Sequence, residues 1–200
     1  MRKLAVPALL ALFSTSAWSV PTHFEGTYDV TYADADPGLV LEINPAGGPL
    51  SFDLEVGQSK LVNLFTIKAD ESAVNSDDLI PVPLIVDFAF TLPSSFGGPA
   101  SGSTWGVVSG FLGHIHLGVL QWDNGGHFAL SFGNGGVLDV YLNDALFSEG
   151  VLWGLGKKGA NVKAEFRYSQ APVSVPEPGL LTLMGFGLLG VGFVRRRLAA

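Results

Sequence analysis

The sequence predicts an all-β fold, an antiparallel β-sandwich of jelly-roll-like or immunoglobulin-like type, and three observations carry that prediction. Segments rich in Val, Ile, Phe, Tyr and Thr are punctuated at short intervals by Gly, Asn, Asp and Pro, the composition of strands separated by turns. Two segments alternate cleanly. In one, Leu138, Val140 and Leu142 oppose Asp139, Tyr141 and Asn143; in the other, Val162, Ala164, Phe166 and Tyr168 oppose Lys163, Glu165 and Arg167. One face packs and one stays wet, as in antiparallel sheets of a sandwich or barrel. Helical periodicity of useful length is absent from the middle of the chain.

The strands follow in order. Phe24 to Tyr32, Leu39 to Ile43, Leu50 to Val56, Lys60 to Ala69 and Leu84 to Leu92 are strand-like in composition, and so are Thr104 to Ser109, His114 to Trp122, His127 to Phe132, Val137 to Asn143 and Asn161 to Ser169. Asp123-Asn124-Gly125-Gly126 reads as a hairpin joining the strands that end at Trp122 and begin at His127, and Gly133-Asn134-Gly135-Gly136 as a second, because Asn and Gly accept the positive φ that tight turns require. Ala145 to Gly159 reads as a loop with a short helical turn. No internal repeat of fixed period is visible.

The two ends read as addresses. Met1-Arg2-Lys3 gives a positive start, Leu4 to Phe13 an apolar stretch, and Ala17-Trp18-Ser19 the small residues that signal peptidase needs, so residues 1–19 form a signal peptide for the general export machinery. Cleavage follows Ser19, with Ala17 the second choice. At the other end Val175-Pro176-Glu177-Pro178 forms a stiff, extended segment, followed by an uncharged apolar run, Gly179 to Val194, and Arg195-Arg196-Arg197. The run's sixteen residues reach roughly 24 Å, short of the roughly 30 Å hydrocarbon core. The three arginines complete the span by snorkelling, and they hold the carboxyl end on the cytoplasmic side of the inner membrane. A buried core helix would need a polar stripe, and the run offers only Thr182.

Residues 20–169 thus form one exported domain of ordinary size, residues 170–174 a short linker stiffened by Pro172, and residues 175–200 the terminal signal. Between Val20 and Ser174, Lys60, Lys68, Lys157, Lys158, Lys163 and Arg167 face seventeen carboxylates, a net charge of −11. Such a domain repels nucleic acid and anionic lipid, and favours cations or a weakly charged partner such as a neutral glycan. The chain has no cysteine, which excludes disulfides, thiolate zinc sites and a cysteine nucleophile.

The ordered series Val175-Pro176-Glu177-Pro178, the Leu/Gly-rich helix and Arg195-Arg196-Arg197 resembles the PEP-CTERM sorting domain of Gram-negative bacteria. The resemblance covers about the last 26 of 200 residues. It implies recognition by exosortase, a membrane-embedded cysteine peptidase thought to act by transpeptidation, and an association with exopolysaccharide and biofilm. It implies transient anchoring by the helix at 179–194, then release to the cell surface or extracellular matrix. About the activity of the exported domain it is silent.

Within that domain the residues that could carry chemistry are few. His114 and His116, two apart on a strand, share a face and could bind one metal, joined by His127 across the expected hairpin; plain strand histidines give the same spacing. Asp34, Asp36, Asp77, Asp78, Asp123 and Asn124 could coordinate Ca2+, though Asp and Asn are also ordinary turn formers. Trp105, Trp122, Trp153 and Tyr141 could form a sugar-stacking platform, since flat amphipathic rings suit carbohydrate faces, while tryptophans are equally at home in sandwich cores. Asp53 and Glu55 pair on one strand face, but no cleft is implied. The Gly-x-Gly-x-x-Gly from Gly185 to Gly190 lies in the apolar run, where small residues serve helix packing. No nucleophile elbow or other catalytic motif is present. Two readings follow: a non-enzymatic structural or glycan-binding component of exopolysaccharide, and a carbohydrate-active or metal-dependent hydrolase.

Overall fold

The computed structural model describes residues 20–32, 38–70, 74–109, 115–151 and 159–173, with the side chains of 109, 115, 116 and 148–151 left aside. Among the described residues eleven strands follow one another: β1 Thr22–Tyr32, β2 Leu41–Asn44, β3 Gly47–Leu54, β4 Ser59–Ala69, β5 Val82–Leu92, β6 Phe96–Ser109, β7 Ile115–Trp122, β8 His127–Phe132, β9 Gly136–Leu142, β10 Ala145–Val151 and β11 Ala160–Gln170. They form two antiparallel sheets, a six-stranded one in the order β10-β7-β6-β5-β1-β3 and a five-stranded one in the order β2-β4-β11-β9-β8. The fold is the expected all-β sandwich.

Alternation explains why these residues form these strands. Along β11, Val162, Ala164, Phe166 and Tyr168 are buried while Glu165 and Arg167 reach solvent, and along β9 Leu138, Val140 and Leu142 are buried. In the six-stranded sheet Phe24, Tyr28, Val86, Phe88 and Phe90 supply the opposing inner face. A phenyl-rich zone joins the layers: Phe24 meets Phe132 edge-on at 5.6 Å and Tyr168 at 5.3 Å, and Phe52 stacks on Phe166 at 4.9 Å. A polar bond joins the two layers inside the core, from the Tyr28 hydroxyl to the Leu64 carbonyl. Burial raises the Tyr28 pKa, which keeps the phenol a donor.

Three local expectations are corrected. Ala145–Val151 is strand β10, paired with β7, and not a loop with a helical turn. Strand β6 starts at Phe96, eight residues before the expected Thr104, and pairs with β5 from Phe90↔Phe96 onward. The segment Asp123–Gly126 is no hairpin. Strand β7 belongs to the six-stranded sheet and β8 to the five-stranded one, so this short 3-10 turn is a corner that carries the chain between layers. Gly133-Asn134-Gly135-Gly136 does close the expected hairpin, with Phe132 opposite Gly136.

Candidate functional site

The outer face of the five-stranded sheet carries a connected polar arrangement. Register brings His127 opposite Tyr141, Tyr141 opposite Glu165, and Glu165 opposite Leu61, one row across β8, β9, β11 and β4. The His127 and Tyr141 rings stack at 4.7 Å and 17°. Tyr141 is 38% exposed and Leu61 59%. They border an open cleft of about 560 Å³ whose polar lining is Asn143, Asn161, Lys163 and Glu165.

The cleft wall is built where β9 stops. The Asn143 side chain continues the ladder, its Oδ1 accepting the Lys163 N–H at 2.6 Å while its Nδ2 donates to the carbonyls of Asp144 and Asn161. Asn161 Oδ1 in turn accepts the Thr66 hydroxyl at 3.0 Å. Both amides are thereby held in place. Among the described residues Lys163 and Glu165 make no ion pair, which leaves an ammonium and a carboxylate facing the solvent of the cleft.

Beside this row lies a Ser/His/Asp cluster. His127 Nε2 sits 2.9 Å from Asp139 Oδ1, and Ser169 Oγ donates to Asp139 Oδ2. Burial would raise the Asp139 carboxyl, but the hydrogen bonds from Ser169 and His127 and the charges of His127 and Arg167 outweigh it and hold the pKa below its ordinary 3.8. The order of the groups decides the chemistry. A catalytic triad needs the imidazole between hydroxyl and carboxylate, so that it can take the serine proton; here the carboxylate lies between the other two. The cluster ties β8, β9 and β11 together as a clasp.

Because the folded pKa is depressed, the clasp contributes stability that is fully present above the unfolded carboxyl value and lost as pH falls through the folded one. Asp139→Asn is expected to cost about 1 kcal/mol at pH 7. The gap to wild type should narrow as pH drops below 3.8, measurable as urea midpoints at pH 7 and pH 3.

The remaining sequence candidates are dispersed. His114 lies outside the described residues; His116 is on β7 opposite Val108, its side chain also outside. His127 stands in the other sheet, committed to Asp139. Among the described residues no group of three His, Asp, Glu or Cys side chains could hold a metal. Asp34, Asp36 and Trp153 lie outside the described residues. Asp77 and Asp78 organise a turn: Asp78, fully buried, accepts the Asn75 N–H at 2.6 Å, and the Asp77 N–H donates to Asn75 Oδ1 at 3.1 Å. Asp123 and Asn124 form the inter-sheet corner. Asp53 binds His23 at 2.8 Å, and the Glu55 N–H donates to Gln58. Trp122 is a core residue whose Nε1 donates to the Asn143 carbonyl at 2.9 Å. Trp105 faces outward on the six-stranded sheet, in a cleft of about 430 Å³ with Val119, Gln121, Asp144 and Leu146.

Ala17, Ser19, Val175, Pro176, Glu177, Pro178, Arg195, Arg196 and Arg197 all lie outside the described residues. Among the described residues no helix is long and apolar enough to cross a membrane. A family model for the PEP-CTERM protein-sorting motif matches residues 174–197. The chain carries the PEP-CTERM sorting motif. The match starts one residue before Val175 and ends at Arg197, so it takes in the extended segment, the apolar run and the arginines together. The PEP-CTERM tail implies export, a membrane-anchored carboxyl end before processing, and exosortase as the processing partner. No curated protein and no solved structure matches the chain significantly.

Proposed function

We propose that this PEP-CTERM chain is a non-enzymatic component of the cell surface or extracellular matrix whose sandwich binds exopolysaccharide of the biofilm through the outer face of the five-stranded sheet. The observation that carries this reading is the Tyr141 cleft. A solvent-facing ring offers an apolar face for a pyranose, while Asn161, Lys163 and Glu165 around it offer the donors and acceptors that ring hydroxyls require. A hydrolase would instead need two carboxylates flanking a bond or an activated nucleophile. The His127, Asp139 and Ser169 arrangement lacks that order.

The test is retention of the processed protein on its host's matrix polysaccharide, in affinity electrophoresis or co-sedimentation, alongside an assay for new reducing ends. Tyr141→Ala should weaken retention roughly tenfold, about 1.4 kcal/mol, while Trp105→Ala on the opposite sheet leaves it within about twofold. Reducing ends that accumulate with wild type and vanish in His127→Ala would establish a hydrolase in place of a binder.

A further inference from the structure

We propose that the end of the sandwich from which the tail departs is a docking surface for exosortase, charge-poor by composition and brought against the peptidase by the shortness of the connection. The inference rests on the sorting tail and goes beyond it, because the motif says nothing of the folded domain.

Two contacts fix where the tail leaves. After β11 the Val173 N–H donates to the Asn134 carbonyl at 2.8 Å, and Pro172 lies so close to Gly133 that a Cβ there would sit 3.4 Å from its ring. The chain is therefore tied to the β8–β9 turn as far as Val173. Val175, the first residue of the recognised segment, is two residues further on and at most about 7 Å away, and Gly179 at most about 21 Å. A peptidase that accommodates Val175 to Pro178 at the membrane must abut this end of the domain.

The composition of the end suits such a contact. Register and packing gather there the start of β1 (Thr22 opposite Leu54), the turn after β3 (Gly57 N–H to the Tyr168 carbonyl), the β5–β6 turn and the β8–β9 turn. Residues 20–22, 55–58, 92–95, 133–135 and 171–173 contain a single ionisable side chain, Glu55, in a domain of net charge −11. They also expose Val20 at 81%, Val173 at 61%, Val56 at 49% and Leu92 at 41%. A surface buried against a partner favours few charges and some apolar area, since each unpaired ionised group must be desolvated.

The experiment is pulse-chase of the full chain in a host with active exosortase, reading conversion of the tailed to the trimmed form. Val56→Asp with Leu92→Asp should slow conversion about tenfold or more. Ile80→Asp, more exposed at 59% and just before the start of β5, at the end opposite Leu92, should convert at the wild-type rate. Inserting ten Gly/Ser residues between Val173 and Ser174 frees the motif from the domain and should restore the doubly charged variant to within about twofold of wild type. Wild-type conversion by the doubly charged variant overturns the proposal, and so does slow conversion that persists with the insertion, because the charges then act without the enforced contact. A wild-type chain that keeps its tail equally with and without exosortase refutes the sorting assignment itself, a result distinct from either.

Discussion

Phe24→Ala is expected to lower the stability of the sandwich by about 3–5 kcal/mol, a large share of the roughly 5–15 kcal/mol that holds a domain of this kind together. Phe24 is fully buried and sits between the sheets, meeting Phe52 on its own sheet and Phe132 and Tyr168 on the other at 5.3–5.6 Å. Five aromatic neighbours surround it. Their rings belong to β3, β5, β6, β8 and β11, so the void cannot close by moving one side chain, and the cavity cost adds to the lost transfer energy. Thermal unfolding followed by tryptophan fluorescence should show a melting temperature lower by about 10 °C. A loss below about 1 kcal/mol would mean that the two sheets slide together to fill the space. Because the same cluster underlies the tail-bearing end, the variant should also be degraded faster after export.

Much of this architecture is legible in the sequence wherever one face is wet. In β9 and β11 the alternation names the buried residues correctly, and it identifies Tyr141 as an outward ring before any fold is known. It fails where packing substitutes for side-chain pattern. The first half of β6, Phe96 to Ser103, is mostly Gly, Ser, Pro and Ala, and reads as a loop; it is a strand because small residues are required against β5, where a Cβ at Gly97 would fall 2.0 Å from the Phe88 carbonyl. Strand β10 hides because Leu146 points out at 67% exposure beside buried Phe147, two adjacent apolar residues that blur the period of two. The clasp is illegible for another reason. His127 and Asp139 meet only because β8 pairs with β9 in one particular register, with Ala129 opposite Asp139, and Ser169 arrives from a strand 30 residues away.

The same limit applies to the turn at Asp123–Gly126, and it leads to the second large effect: Gly126→Ala should destabilise the protein by about 2–5 kcal/mol, whereas Gly125→Ala should cost only about 1 kcal/mol. Both glycines have positive φ, +79° at Gly126 and +64° at Gly125, and Asn124 precedes them at φ 52°. Both substitutions therefore carry the conformational penalty of a left-handed L residue. Only Gly126 adds a collision. Its new methyl would fall 2.1 Å from the Leu142 carbonyl oxygen, whereas among the described residues nothing lies within 4 Å of one at Gly125. The obstacle is backbone at the end of β9, so relief requires moving the strand that carries Tyr141 and the Asn143 amide. The local signal Asp-Asn-Gly-Gly specifies a tight turn, and the layer in which the next strand finds partners determines that this turn crosses the core. Urea denaturation of the two variants separates the contributions, since the difference between them is the steric part alone. In retention on polysaccharide, Gly126→Ala should lose the Tyr141-dependent component while Gly125→Ala keeps it; equal stability of the two variants would mean that the corner relaxes freely and that the cleft does not depend on its geometry.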